Sequence, residues 1–146
     1  MKKFKFSLQK VLDVKELRLK KTQRELAFFE KQKAKAEEKL IKHQYEFEKF
    51  CTSMYKEEKN VSEIKLAYSH FYQYLEDLDT QKKELINLEK KIEETRKKII
   101  NEQRDFKILS KLKDKYYSAF ITEGQKEEQI FLDETALIGM RENSGF

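Results

Sequence analysis

Apolar residues recur along this chain at alternating spacings of three and four. In the first half one series reads Leu12, Leu19, Leu26, Lys33, Leu40, Phe47, Met54, and its companion reads Leu8, Lys15, Thr22, Phe29, Ala36, His43, Phe50. Ten of these fourteen positions are apolar. The second half repeats the pattern with Ile64, Phe71, Leu78, Leu85, Ile92, Ile99, Phe106, Lys113, Phe120, where Lys113 is the one polar residue. Its companion is Ala67, Tyr74, Gln81, Leu88, Thr95, Glu102, Leu109, Tyr116. A seven-residue repeat of this kind lays each pair of series along one narrow stripe of an α-helix, the pattern of a coiled coil.

Lys59-Asn60-Val61-Ser62 separates the halves. Asn tolerates the left-handed conformation that ends helices. Ser62 is expected to cap the next helix, with Val61 and Leu66 at the spacing of a hydrophobic staple. A turn this short forces antiparallel helices. The expected fold is all-α: a long antiparallel two-helix coiled coil, a helical hairpin rod whose second helix is the longer. Helix 1 is placed at about 7–58, the turn at about 59–62 and helix 2 at about 63–135, together one elongated domain over residues 1–140, with 141–146 as a disordered tail. In the matching register Met54 faces Ala67, Phe50 faces Phe71, Phe47 faces Tyr74, His43 faces Leu78, Leu40 faces Gln81 and Leu12 faces Leu109. No polar seam residue then faces another, whereas a slip of one heptad sets Lys33 against Gln81 or Lys15 against Lys113.

Composition sharpens this picture. Charged residues make up 40% of the chain and hydrophobic ones 38%; there is no Pro, and the first of only 3 Gly is Gly124. That excludes a thick globular core and favours solvent-washed helices with a thin seam. The single Cys51 rules out an internal disulfide and points to a reducing compartment. No apolar run approaches membrane-spanning length, and the Lys-rich start lacks a secretory apolar stretch. A cytoplasmic protein is expected.

Two regions hold more than a seam requires. Near the turn, Tyr68, Tyr72 and Leu75 form a second stripe; Cys51 falls beside Tyr68, and Tyr55 one helical turn from Cys51. These side chains either widen the local core or make a partner-binding patch. At the open end, Phe4 and Phe6 alternate with Lys2, Lys3 and Lys5, Ser7 reads as an N-cap, and Phe6 and Val11 stand at staple spacing. Phe4 and Phe6 are expected to cover Tyr116 and Tyr117, leaving Phe120, Ile121, Ile130, Phe131 and Leu132 with nothing in the chain to cover them. Gly124 is expected to mark a bend or loose turn, and residues 123–134 hold five acids and one Lys. Residues 1–24 hold nine Lys/Arg against two acids and residues 96–118 eight against three, in a chain of net charge +5. Such an excess is either a solvated face or the counterpart of an acidic protein partner or of nucleic acid. The spread of the charges over several faces, without any nucleic-acid motif, weighs against nucleic acid.

No catalytic, cofactor-binding or metal-binding residues are expected. There is no Gly-rich phosphate loop, nucleophile elbow or Cys pair. His43 falls on the seam and His70 near the aromatic stripe, too isolated for a metal pair, and carboxylate pairs such as Glu93-Glu94 lie on solvated faces with no cleft to shift them. The chain is expected to act by binding proteins, not as an enzyme.

Both ends bear a resemblance. Phe4-Lys5-Phe6-Ser7-Leu8-Gln9-Lys10-Val11-Leu12-Asp13 is similar to the start of the flagellar export protein FliJ family. Tyr116, Glu127-Glu128-Gln129, and Leu132-Asp133-Glu134 before Ala136 resemble the family's close, in the same order. The resemblance implies a non-enzymatic stalk of the flagellar type III export apparatus. Such a stalk resembles the central shaft of rotary ATP synthases. It enters the export ATPase hexamer, contacts the cytoplasmic domain of the membrane export gate and escorts export chaperones. The stalk would sit in the cytoplasm, held at the inner-membrane face through that apparatus. On this basis Phe4, Phe6, Leu8, Val11, Phe120, Glu127, Glu128, Phe131, Asp133 and Glu134 are expected to meet the ATPase ring. Cys51, Tyr55, Tyr68, Tyr72 and Leu75 are expected to meet the gate or a chaperone. Two alternatives compete: an injectisome stalk of the same architecture, and a nucleic-acid-binding coiled-coil arm using the basic open end.

Overall fold

The computed structural model describes residues 2–56 and 58–144, leaving aside the side chain of Ser144. Two helices account for nearly all of them: α1, Gln9–Lys56, and α2, Val61–Ser144. The chain divides into two compact units, one of Met1–Arg18 with Glu102–Phe146 and one of Leu19–Asn101. Both helices run through both units, and in each unit they pair antiparallel.

In the unit of Leu19–Asn101 the buried residues are those the heptads single out: Ala67, Leu78, Ile92 and Ile99, joined by the polar Thr22, Gln81 and Thr95. Thr95 avoids a buried orphan hydroxyl by donating to the Lys91 carbonyl one turn back, 2.7 Å away. Near the turn the seam becomes aromatic. The Phe47 ring lies 5.5 Å from Phe71 and 5.9 Å from Tyr74, and the Phe50 ring 5.2 Å from Tyr74 and 6.3 Å from His70. Phe47 thus meets Tyr74 as expected, but Phe50 inserts beside Tyr74 instead of standing squarely against Phe71. The cause is knobs-into-holes packing, in which each side chain enters a gap between residues of the facing helix.

The same offset overturns one expectation of the register. His43 reaches Gln81, with Nδ1 and Nε2 2.6 Å apart, so two polar seam residues do meet. Gln81 Oε1 is buried without a partner. Ion pairs flank the seam, Lys33 to Glu89 at 3.8 Å and Arg96 to Glu30 at 3.4 Å. Their side chains are between 34% and 57% exposed, so each contributes at most a few tenths of a kcal/mol to about 1 kcal/mol.

The cap of α2 is Asn60, not Ser62. The Glu63 backbone N–H donates to Asn60 Oδ1 at 2.8 Å, and the Asn60 N–H donates to Glu63 Oε2 at 3.3 Å. This is a reciprocal capping box, with the carboxylate near the positive end of the helix. The expected staple is absent, since Val61 and Leu66 are 70% and 61% exposed. No described residue other than glycine takes a positive φ, so Asn60 does not end α1 in the left-handed conformation.

In the other unit the non-helical arm at the N-terminus leads into α1. The Gln9 N–H donates to the Phe6 carbonyl at 3.1 Å, so Ser7 sits in the turn ahead of the helix, not at its cap. Phe6 is only 8% exposed and lies on Tyr116, ring centres 5.9 Å apart, while Val11 is 44% exposed. Leu12 is buried, and Lys15 bridges to Asp105 across the helices at 3.4 Å. α2 then continues through Gly124 without a break and stays helical to Ser144, past the end expected at 135 and into the stretch expected to be disordered. Gly145 and Phe146 lie outside the described residues. A single Gly costs a helix about 1 kcal/mol relative to Ala, less than is needed to interrupt 84 residues of good helix formers.

Two outcomes follow from the seam and its turn. Asn60→Ala should lower stability by about 1 kcal/mol in urea unfolding, with Ser62→Ala changing it by a few tenths at most; a larger effect at Ser62 would reverse the assignment of the cap. In a Cys51→Ser background, the pair Phe47→Cys and Tyr74→Cys should crosslink readily, whereas Phe47→Cys with Gln81→Cys, one heptad away, should not. Preferential crosslinking of the shifted pair would overturn the register.

Candidate functional site

Two groups of apolar side chains stand outside the seam, one in each unit. In the unit that holds the chain ends, the arm Lys2–Phe6 lies on α2. The Phe4 ring is 5.2 Å from Tyr117, edge-on, and 5.5 Å from Phe120. Edge-to-face and tilted pairs at this distance add to the gain from buried area. Phe120 is therefore half-buried by Phe4, contrary to the expectation that nothing in the chain could cover it. The expectation failed because the arm, which is not helical, extends further along α2 than the heptad pairing of α1 reaches.

Just past the arm a groove of about 660 Å³ opens along α2. Phe120, Ile121, Phe131 and Leu132 give it apolar walls, Glu123, Glu127 and Glu128 a negative rim, and Lys2, Gly124 and Gln125 complete the lining. Phe131 is 67% exposed, and Ile130, Leu132, Leu137, Ile138 and Met140 are likewise exposed. Large apolar side chains in such number along one helix are costly to leave in water.

Of the ten open-end residues singled out in the sequence, the groove brings together Phe120, Glu127, Glu128 and Phe131. Phe4 and Phe6 hold the arm against α2 beside it. Leu8, just ahead of α1, and Val11, on its first turn, are exposed and do not line the groove. Asp133 accepts from Gln129 Nε2 at 3.0 Å, and neither it nor Glu134 lines the groove. Sequence reasoning missed Lys2, Glu123 and Gln125 as lining residues, and took Gly124 for a bend. The available signal was the alternation of Lys and Phe in the arm, which matches the advance of an extended chain along a helix face.

In the unit of Leu19–Asn101, Tyr68, Tyr72 and Leu75 are all exposed, Tyr72 by 66%. Tyr72 touches Phe71 edge-on at 5.7 Å but fills no gap in the seam. Tyr55 is 93% exposed and Cys51 is partly covered. Among the two readings of this stripe, the exposure favours a surface patch over a widened core.

Among the described residues, no group of three or more His, Cys, Asp and Glu side chains is placed to hold a metal ion, and no helix is long and apolar enough to cross a membrane. No curated protein and no solved structure matches the chain. A family model described as flagellar FliJ protein matches residues 4–145, which takes in both helices, the arm from Phe4 onward and the groove lining apart from Lys2. The chain belongs to the FliJ family of flagellar export-apparatus components.

Proposed function

We propose that this chain is the stalk that joins the flagellar export ATPase ring to the membrane export gate and escorts export chaperones. It would work in the cytoplasm, held at the inner-membrane face through its partners. The observation that carries the proposal is the unburied apolar surface of α2 past Phe120, set among carboxylates and lying next to the arm. Family membership supplies the export apparatus as the setting, and that surface supplies a place for a protein to bind. Burying one Phe is worth roughly 1.5–3 kcal/mol, so a partner that covers Phe131 and its neighbours gains affinity quickly.

The contact with the ATPase ring is assigned to Leu8, Val11, Phe120, Glu127, Glu128, Phe131, Asp133 and Glu134, with Phe4 and Phe6 holding the arm in place. The basic stretches 1–24 and 96–118 favour acidic surfaces in that ring, and added salt should weaken this part of the contact. The patch of Tyr68, Tyr72 and Leu75, with Cys51 and Tyr55 nearby, is assigned to the export gate or a chaperone.

Truncation after Glu123 should leave the paired part of α1 and α2 folded, because the paired seam ends before that residue. The melting midpoint should stay within a few degrees of the full chain, and stimulation of the export ATPase should be lost. Normal stimulation by the truncated chain would remove the ATPase assignment. At the other surface, Tyr72→Ala with Leu75→Ala should weaken binding to the gate's cytoplasmic domain by about tenfold or more, with little change in the melting curve. A large fall in stability without a selective loss of binding would return these residues to a packing role.

A further inference from the structure

The arm shows what kind of segment this face of α2 accepts. Lys2-Lys3-Phe4-Lys5-Phe6 sets aromatic residues two apart among bases. Phe6 meets Tyr116, and Phe4 meets Tyr117 and Phe120, about one helical turn further along. Two residues of extended chain advance about 6.6 Å and one helical turn about 5.4 Å, so side chains of one parity meet successive turns. Lys2 ends this track at the edge of the groove.

Gly124 lies one turn past Phe120, inside the groove. Nothing in the chain requires a glycine there. No positive φ occurs at the described glycines, and a Cβ built on Gly124 meets nothing within 4 Å. Helix interiors disfavour glycine more than any residue but proline, yet here one keeps open the space between Phe120 and Phe131. The rim of that space is negative, with Glu123, Glu127 and Glu128 facing Lys2 alone. A second copy of the same helix would bring its own carboxylates against these, so the charge selects a basic occupant.

We propose that the groove binds an alternating basic and aromatic segment of a partner protein, in line with the arm. One aromatic side chain fills the space over Gly124 between Phe120 and Phe131, and flanking bases pair with Glu127 and Glu128. This rests on the assignment of the open end as a docking surface and adds the chemistry of the docked segment.

The probe is a fluorescein-labelled hexapeptide of alternating Lys and Phe, titrated with the full chain and followed by fluorescence anisotropy. Saturable binding is expected, weakened about tenfold or more by Gly124→Leu, which fills the groove. Glu127→Lys with Glu128→Lys should weaken it similarly, and a hexapeptide of alternating Glu and Phe should not bind. Gly124→Leu should melt at or above the wild-type temperature, since a Cβ there meets nothing within 4 Å and leucine favours the helix, so loss of binding will not reflect unfolding. Equal binding of the Lys/Phe peptide by wild type and Gly124→Leu, or equal binding of both peptides, overturns the proposal. ATPase stimulation is read separately on the same proteins. A full-length chain that fails to stimulate removes the ATPase assignment and leaves the peptide result standing. A chain that stimulates, but whose Gly124→Leu form still holds the peptide, removes only the groove assignment.

Discussion

Among the described residues a seam one or two side chains wide, flanked by a few exposed ion pairs, holds α1 to α2, and the rest of the structure answers to how little it can bury. Two helices cannot enclose a core from all sides. Only Phe6, Leu12, Ala67, Leu78, Ile92 and Ile99 become nearly inaccessible among the described apolar residues. Each heptad therefore contributes a small increment, and no single layer decides the fold. This leaves Lys15 and Lys33 room at seam positions, where they stay 28% and 34% exposed and pair with Asp105 and Glu89 at the edge. It also explains where polar atoms are left over. Gln81 Oε1 and Glu102 Oε2 are buried without partners because a thin seam offers few groups to satisfy them.

The periodic part of this architecture was legible in the sequence, since a repeat held over many turns leaves one stripe to bury. What was not legible is finer than a heptad. Facing pairs deduced from numbering set His43 against Leu78, whereas side chains enter gaps, and the gap His43 enters is bordered by Gln81. The cap was misplaced because Asn60 and Ser62 are both good capping residues two positions apart. Glu63 decides between them, for it stands three residues after Asn60, whereas Lys65 stands three after Ser62 and cannot return the bond. Gly124 was read as a bend on local cost alone, although the helix formers on both sides outweigh it.

The candidate surfaces follow from the same limit. Tyr72 and Phe131 were recognisable because a two-helix seam has no use for them. The groove was not, because its lining depends on the path of the arm. A short segment without helical periodicity gives no phase from which to place Lys2 in the lining of the groove. The positive and negative stretches also separate along the chain, with bases concentrated in 1–24 and 96–118 and acids in 123–134. The chain can thus present opposite charges to different partner surfaces without a change of conformation.

The length difference between α1 and α2, 48 against 84 residues, leaves the last part of α2 as a helix without a companion. Its internal supports are local: Gln129 to Asp133, and the hydroxyls of Thr122 and Thr135 returned to the carbonyls of Ser118 and Phe131. Such bonds are weak, and a lone helix in water is marginal. Amide protons should therefore exchange with solvent along a gradient within one continuous element, slowest near Ile92 and Ile99 and fastest past Glu123. Whatever covers that last stretch would slow its exchange selectively, so the helix carries a built-in record of its own occupancy.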